Sequence, residues 1–350
     1  MKLVMTLLAR DEADIVDAQI AFHLHAGVDF VVATDNRSED GTTEILERYQ
    51  RAGLLHLLRE SGDDMRQDEW VTRMARLAAT DLGADWVLNA DADEFWWPRG
   101  GSLKDVLALL PDRYGLVRGC WRHFLPRPDD GELFAERMTV RLCTPAHPGA
   151  KATIFHAHQK VAHRADPHVA IAPGNHDADG PRLAPPIRGW HPLEVLHFSL
   201  RSVEQLRRKA VRDWRGWVQN RHGLTLHQVL AYEAGRDGRL EEYFDSFVAS
   251  DEDLERGIAA GTLAVDTRLR DALRAIRRED GCFRLPGDQP ALSFPRPGVR
   301  EDALYAGEAS VLVEIDGVVR AQSRVEALEE RVTALEQGLV PRARRRLARR

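Results

Sequence analysis

Over its first hundred residues the chain switches its hydrophobic period again and again, and this alternation limits the fold more than any other feature. Apolar runs at residues 3–8, 30–34, 54–58 and 86–88 have the length and composition of buried strands. Between them, residues 14–25, 40–51 and 68–82 show helical spacing, each with an Asp at or near its start. Strand and helix in strict alternation predict an α/β fold, with a mostly parallel sheet covered by helices on both faces. Residues 114–125 read as a further strand, whereas 145–192 are rich in Pro, Gly and His and fit no regular element. Long irregular stretches of that kind are usually lids or binding loops. From residue 202 the pattern is helical, at 202–220, 225–234, 239–248, 251–259 and 267–278.

The fourth apolar run ends in Asn89-Ala90-Asp91-Ala92-Asp93-Glu94-Phe95-Trp96. Three carboxylates within four positions, set between Trp86 and Trp97, make a poor piece of core, because like charges at close range oppose one another's ionisation. A divalent cation resolves that conflict, since carboxylate oxygens suit magnesium, manganese or calcium. Read as one strand, Asp91 and Asp93 project to the same face, at the carboxyl end where open α/β sheets bind ligands. Asp93 is then the first metal ligand and Asp91 the second. Glu94 has two readings, a hydrogen-bond partner for a sugar hydroxyl or a capping acid beside Trp96.

These residues, with others around them, resemble glycosyltransferases of the GT-A type, nearest to the family 2 members and the related family 92 that carry an Asp-x-Asp-Glu-Phe motif. The likeness includes Leu3 to Glu12, similar to that group's first strand and Arg-Asn-Glu corner, with Asp11 standing where Asn is usual. It continues through Phe22-His23, Ala26-Gly27-Val28 and Thr34 to Thr42, and returns at Leu196 to Ser202. About the first 210 residues are covered, weakly between Pro98 and Pro192. The resemblance implies a metal-dependent, inverting transfer of a sugar from a nucleotide-diphosphate donor to a hydroxyl acceptor, in cell-surface glycan or glycolipid synthesis. It implies Mn2+ or Mg2+ as cofactor, and His197 as a further metal ligand at the end of the apolar run 193–197. In the resembled group the first Asp of the motif can instead reach the ribose.

Donor contacts are expected at the strand ends. Thr6, Arg10 and Glu12 close the first strand, and Asp35 with Asn36 closes the second, where a carboxylate accepts from a base or from ribose hydroxyls. The segment Asp35 to Ser38 is equally ordinary turn chemistry, and Asp40 reads as a helix N-cap. Arg66, Gln67 and Arg73 flank the third helix, where the resembled group places polar donor contacts. Arg201 and Lys209 are candidates for the diphosphate oxygens. Asp177, in the glycine-containing stretch Gly174-Asn175-His176-Asp177, is the candidate catalytic base, with His176 and Glu194 as rivals.

The chain is predicted to divide into a glycosyltransferase domain over 1–200, a helical extension over 201–280 and a linker or strap over 281–317. A short coiled coil over 318–341 and a basic tail over 342–350 follow. The coiled coil rests on Val318, Ala321, Val325, Leu328, Val332, Leu335 and Leu339, a stripe at alternating three and four spacing, and implies a homo-oligomer. The tail carries six arginines; without them the net charge of -6 becomes -12. An acidic body is a poor nucleic-acid binder, whereas a cationic tail is a candidate for peripheral contact with anionic lipid at the inner face of a membrane.

Three cysteines without a C-x-x-C pair read as reduced thiols in a cytoplasmic protein. The N-terminus reads directly as a strand, too short in its apolar run for a signal peptide. Two rival functions follow from the same residues. A nucleotidyltransferase would need a glycine-rich loop after the first strand, and residues 8–13 contain no glycine. An inactive sugar-binding scaffold would have no need of intact Asp91, Asp93 and His197.

Overall fold

The computed structural model describes residues 1–62, 66–143, 154–155, 158–183, 187, 190–220, 226–287, 292–311 and 314. The expected alternation is present as β1 (Leu3–Ala9), α1 (Val16–His25), β2 (Phe30–Asp35), α2 (Thr42–Arg51), β3 (Leu55–Arg59), α3 (Gln67–Thr80) and β4 (Trp86–Asp91). These strands pair in parallel in the order β3-β2-β1-β4. Parallel register sets Leu8 beside Asp91 and Ala9 beside Asp35, so the carboxyl ends of three strands form one rim.

Beyond β4 the chain adds β5 (Glu94–Pro98), α4 (Leu103–Ala108), β6 (Leu116–His123), α5 (Phe134–Arg137), β7 (Val140–Leu142), β8 (Gln159–Arg164), β9 (Ala170–Ile171), β10 (Ala178–Asp179) and β11 (Leu193–His197). Four of them complete an eight-stranded sheet, β3-β2-β1-β4-β8-β6-β11-β5. β8 runs against both β4 and β6, and β5 runs against β11, whereas β6 and β11 are parallel. This is a mixed α/β architecture, a parallel half joined to a mixed half. The sheet curls strongly: β5 starts three residues after β4 ends, although three strands separate them in the hydrogen-bonded order. The indole N–H of Trp96 donates back to the Asn89 carbonyl (3.2 Å). A Cβ on Gly119 would stand 2.8 Å from the Trp96 ring, so glycine permits this close approach.

Two expectations shift at this point. Asp93 does not share a strand with Asp91, because β4 stops at Asp91 and Ala92-Asp93 form the turn into β5. The N-cap of α2 is Gly41 rather than Asp40. Asp40 instead accepts from the Thr42 backbone N–H and hydroxyl, from the Ala13 N–H, and pairs with Arg208 (3.0 Å).

The helical region comprises α6 (Val203–Asn220), α7 (Leu226–Arg236), α8 (Leu240–Asp245) and α9 (Asp251–Ala259), followed by β12 (Leu263–Val265) and α10 (Arg268–Ile276). Leu206, Ala210, Ala231, Phe244 and Phe247 pack with Phe155 and Leu142 in a core of their own. β12 pairs with β7, which ties this region to the sheet domain. The stretch after α10 returns to the sheet domain as a strap. Gly101 N–H donates to the Phe294 carbonyl (2.9 Å), and helical residues 299–311 set Tyr305 against β11, its hydroxyl donating to the Leu193 carbonyl (2.7 Å). The predicted coiled coil over 318–341 and the basic tail over 342–350 lie outside the described residues. Among the described residues no helix is long and apolar enough to cross a membrane.

Candidate active site

Strand direction gathers the polar groups. Asp91 ends β4, His123 ends β6 and His197 ends β11, all at carboxyl ends, and antiparallel β8 brings its first residues to the same end. Here Asp93, Glu94 and His197, all buried, each offer a ligand atom within 4.8 Å of the others. Nε2 of His197 lies 3.7 Å from an Asp93 oxygen, and Lys209 on α6 lies 3.5 Å from the same oxygen. Carboxylate and imidazole at this spacing fit a divalent cation such as manganese or magnesium. Burial opposes ionisation of Asp93, yet Lys209 and then His197 hold its carboxyl well below the usual carboxylate range. Burial lowers the basicity of His197, with Asp93 opposing, which favours the neutral imidazole a metal requires.

The two aspartates therefore have different partners. Asp91 takes hydrogen bonds from Gln67 (3.2 Å), Asn175 (3.0 Å) and Lys160 (2.6 Å), and the cation-ligand group contains Glu94 in its place. Lys160, wholly buried, also reaches Glu94 (2.9 Å) and donates to the Gly174 carbonyl (2.6 Å). Gly174 has φ +70°, and a Cβ there would strike the His176 ring. Glu94 is enclosed by donors. Oε1 accepts from the Trp121 indole (2.8 Å) as well as from Lys160, and Oε2 accepts from the Asp91 N–H (3.2 Å). Burial, reinforced by Asp91 and Asp93 and opposed by Lys160, pushes the Glu94 carboxyl up to about 8.

A cleft of about 200 Å³ opens beside this cluster, lined by Arg10, Glu12, Asn36, Gln67, Asp91, Asp93, Lys209, Arg212 and Gln228 among others. Arg10, Glu12, Asn36, Gln67, Asp91 and Lys209, all expected near a donor, thus line one cleft. Asp11 turns the corner before the cleft with φ 55°, a left-handed conformation that Asn and Asp tolerate best, and its carboxylate caps the Glu39 N–H (2.8 Å).

Other expected donor contacts are placed elsewhere. Thr6 is buried within the sheet, its hydroxyl donating to Asn89 (2.8 Å). Asp35 accepts from the Ser38 backbone and hydroxyl and from Thr43, which is the turn chemistry its sequence also allowed. Arg66 pairs with Glu69 and Arg73 with Glu60, and neither lines the cleft. Arg201 is wholly buried: its guanidinium donates to Glu12, Asp14 and the Phe198 carbonyl, so it braces the corner rather than presenting charge to a diphosphate. Burial raises the Glu12 carboxyl in spite of Arg201. Asp177 shares the loop that brings Gly174 and Asn175 to Lys160 and Asp91, and its carboxylate pairs with Arg118 (3.1 Å). His176 stacks on His158 (3.7 Å between centroids) and its Nδ1 bonds the Gln159 carbonyl. Glu194 lies among Arg99, Arg122 and Arg268, which overcome burial and hold it ionised far below the usual range, so it is ill suited as a base.

Lys160, Trp121, His123, Asn175 and Arg212 were not singled out from the sequence. Nothing local marks them, since each acts through a partner distant in the chain. The fold and site together define an α/β protein with a polar cleft beside a buried Asp93-Glu94-His197 cluster, of a kind that could hold a cation, at the carboxyl ends of its strands.

Comparison with protein-family models finds no match, and comparison with curated proteins finds none. Among solved structures the chain is similar to the S. aureus protein TarS, residues 1–349 with UDP, at 13% identity and a TM-score of 0.33, covering 85% of this chain and 100% of that one. It is also similar to glucosyl-3-phosphoglycerate synthase from Mycobacterium tuberculosis with Mn2+, UDP and glucosyl-3-phosphoglycerate, at 21% identity and a TM-score of 0.24, covering 39% and 46%. A further mycobacterial protein matches at 20% identity and a TM-score of 0.26, covering 35% and 41%. The matches to the two mycobacterial proteins span less than half the length of either. At these identities and scores the likeness assigns neither family nor activity.

Proposed function

We propose that the protein is a metal-dependent glycosyltransferase that moves a sugar from a nucleotide-diphosphate donor to a hydroxyl acceptor. The observation that carries this reading is the pairing of Asp93 with His197 (3.7 Å) and Lys209 (3.5 Å) at the edge of a polar cleft. Asp93 and His197 would hold the cation, with Glu94 beside them. Once bound, a divalent cation supplies Lewis-acid neutralisation of a diphosphate leaving group. Lys209 and Arg212 add positive charge along the same wall, and Arg10, Asn36 and Gln67 offer the hydrogen bonds that would orient a nucleotide.

A proton must leave the acceptor hydroxyl as it attacks. Asp177 is the expected base; we assign the role instead to Glu94, expected as a partner for a sugar hydroxyl, because it is buried beside Asp93. Asp177 is the second candidate, carried toward Asp91 by its loop but tied to Arg118. The inverting course, the cell-surface glycan or glycolipid acceptor and the family 2 affinity belong to this proposal on the strength of the sequence resemblance, and the cytoplasmic setting on the unpaired cysteines. Self-association through 318–341 and lipid contact through 342–350 rest on sequence pattern alone.

The test is calorimetric titration of uridine and guanosine diphosphates with Mn2+ and with chelator. Binding should be much tighter with the metal, and Asp93→Ala should abolish the difference. Equal affinity in both conditions defeats the proposal.

A further inference from the structure

β6 and β11 are parallel neighbours in a register that sets His123 directly beside His197, both at the strand ends. The Phe124 N–H donates to the His197 carbonyl (3.0 Å), which fixes the two backbones at that level. Both side chains are buried. Their Nδ1 atoms are 3.2 Å apart, and Trp121 stacks over the His197 ring with centroids 4.2 Å apart at 23°. The His197 ring is thus held by stacking on its face and by a hydrogen bond at Nδ1, while Nε2 faces Asp93.

A hydrogen bond between two imidazole nitrogens needs one N–H and one lone pair. If Nε2 of His197 is to ligate a cation, that atom must carry the lone pair and Nδ1 must carry the hydrogen. Nδ1 of His123 is then the acceptor, which requires His123 to be protonated at Nε2. We propose that His123 is a positioning residue that selects the metal-binding tautomer of His197 and aims its ring at Asp93. The inference rests on the reading of His197 as a ligand, and it adds a residue that touches neither metal nor donor. Outer partners of ligating histidines fix ring and tautomer, and their loss commonly weakens metal affinity by about 10–100-fold.

The experiment uses the full chain and Mn2+ alone, followed by electron paramagnetic resonance, together with 15N NMR of histidine-labelled protein. His123→Phe keeps a ring but removes the acceptor and should weaken Mn2+ binding by about 10–100-fold. His123→Asn, whose Oδ1 falls near the position of Nδ1, should restore most of the affinity. In the unsubstituted protein the spectra should show His197 protonated at Nδ1 and His123 unprotonated there. Unchanged Mn2+ affinity in a folded His123→Phe, or a His197 unprotonated at Nδ1, overturns the inference. Should His123→Phe fail to fold, His123→Asn and the tautomer spectra decide. His197→Ala separates the two readings: undiminished Mn2+ binding there removes His197 as a ligand, whereas its loss alongside a normal His123→Phe removes only the role of His123.

Discussion

Lys160 and Glu94 meet at 2.9 Å with neither side chain open to solvent, and the same ammonium holds Asp91 at 2.6 Å. One internal cation thereby sits between two carboxylates of the acidic motif. Taking it away leaves buried negative charge uncompensated, at a cost of about 3–5 kcal/mol. Lys160→Met should therefore be strongly destabilised in urea denaturation, and adding Glu94→Gln should recover part of the loss. Strict additivity in the double-mutant cycle would show that the pair is not coupled.

Glu94→Gln keeps an acceptor for Trp121 while removing the base. Donor binding in the presence of Mn2+ should persist, and glycosyl transfer should fall by about 10² to 10⁴. Asp177→Asn, which weakens the ion pair with Arg118, should lose less. A reversed order in single-turnover assays would move the base to Asp177.

Glu194 is buried against three guanidinium groups and serves the fold. Glu194→Ala should destabilise the protein by about 3–5 kcal/mol, because it strands arginines in the interior. In the fraction that remains folded, Mn2+ affinity should be unchanged. A Mn2+ affinity that fell in step with stability would argue against this separation.

His23 fixes the middle of β5: its Nδ1 bonds the Gln19 carbonyl (2.8 Å), and its Nε2 accepts from the Trp96 N–H (3.0 Å). Burial lowers its pKa from 6.5 to about 4. His163, buried beside the Arg164 carbonyl, is likewise lowered by burial to about 4. A base with a depressed folded pKa stabilises fully above its unfolded value, and that stability is lost as pH falls from about 6.5 toward 4, by up to roughly 3 kcal/mol per group. Denaturant midpoints should fall over this window. His23→Gln, which keeps an acceptor for Trp96 but does not titrate, should flatten the slope; an unchanged slope would assign it to other groups.

The parallel half of the fold was legible because its strands are apolar on both faces and its helices carry their own period. The mixed half was not. β8 reads Gln-Lys-Val-Ala-His-Arg, a polar string, yet five of its six residues are buried, because Lys160 finds acids contributed by the turn at the end of β4. β5 has no strand signal of its own, since nothing local reveals that it pairs with a strand a hundred residues away. In the site, the spacing of the acidic motif points to Asp93, whereas His197 enters only through the resemblance. Arg201 was misplaced because an Arg after a strand resembles a solvated charge until Glu12 and Asp14 are seen around it. His123 gave no signal, because its role depends on strand register.

Tyr305 sits between two guanidinium groups, 4.1 Å from Arg99 and 4.4 Å from Arg122. Both arginines also grip Glu194, so the innermost charged knot of the sheet is finished by an aromatic ring from near the far end of the described chain. During synthesis the ribosome must deliver every strand of the sheet before that ring emerges. The nascent protein consequently carries this ionic knot without its aromatic cover until Tyr305 has been made.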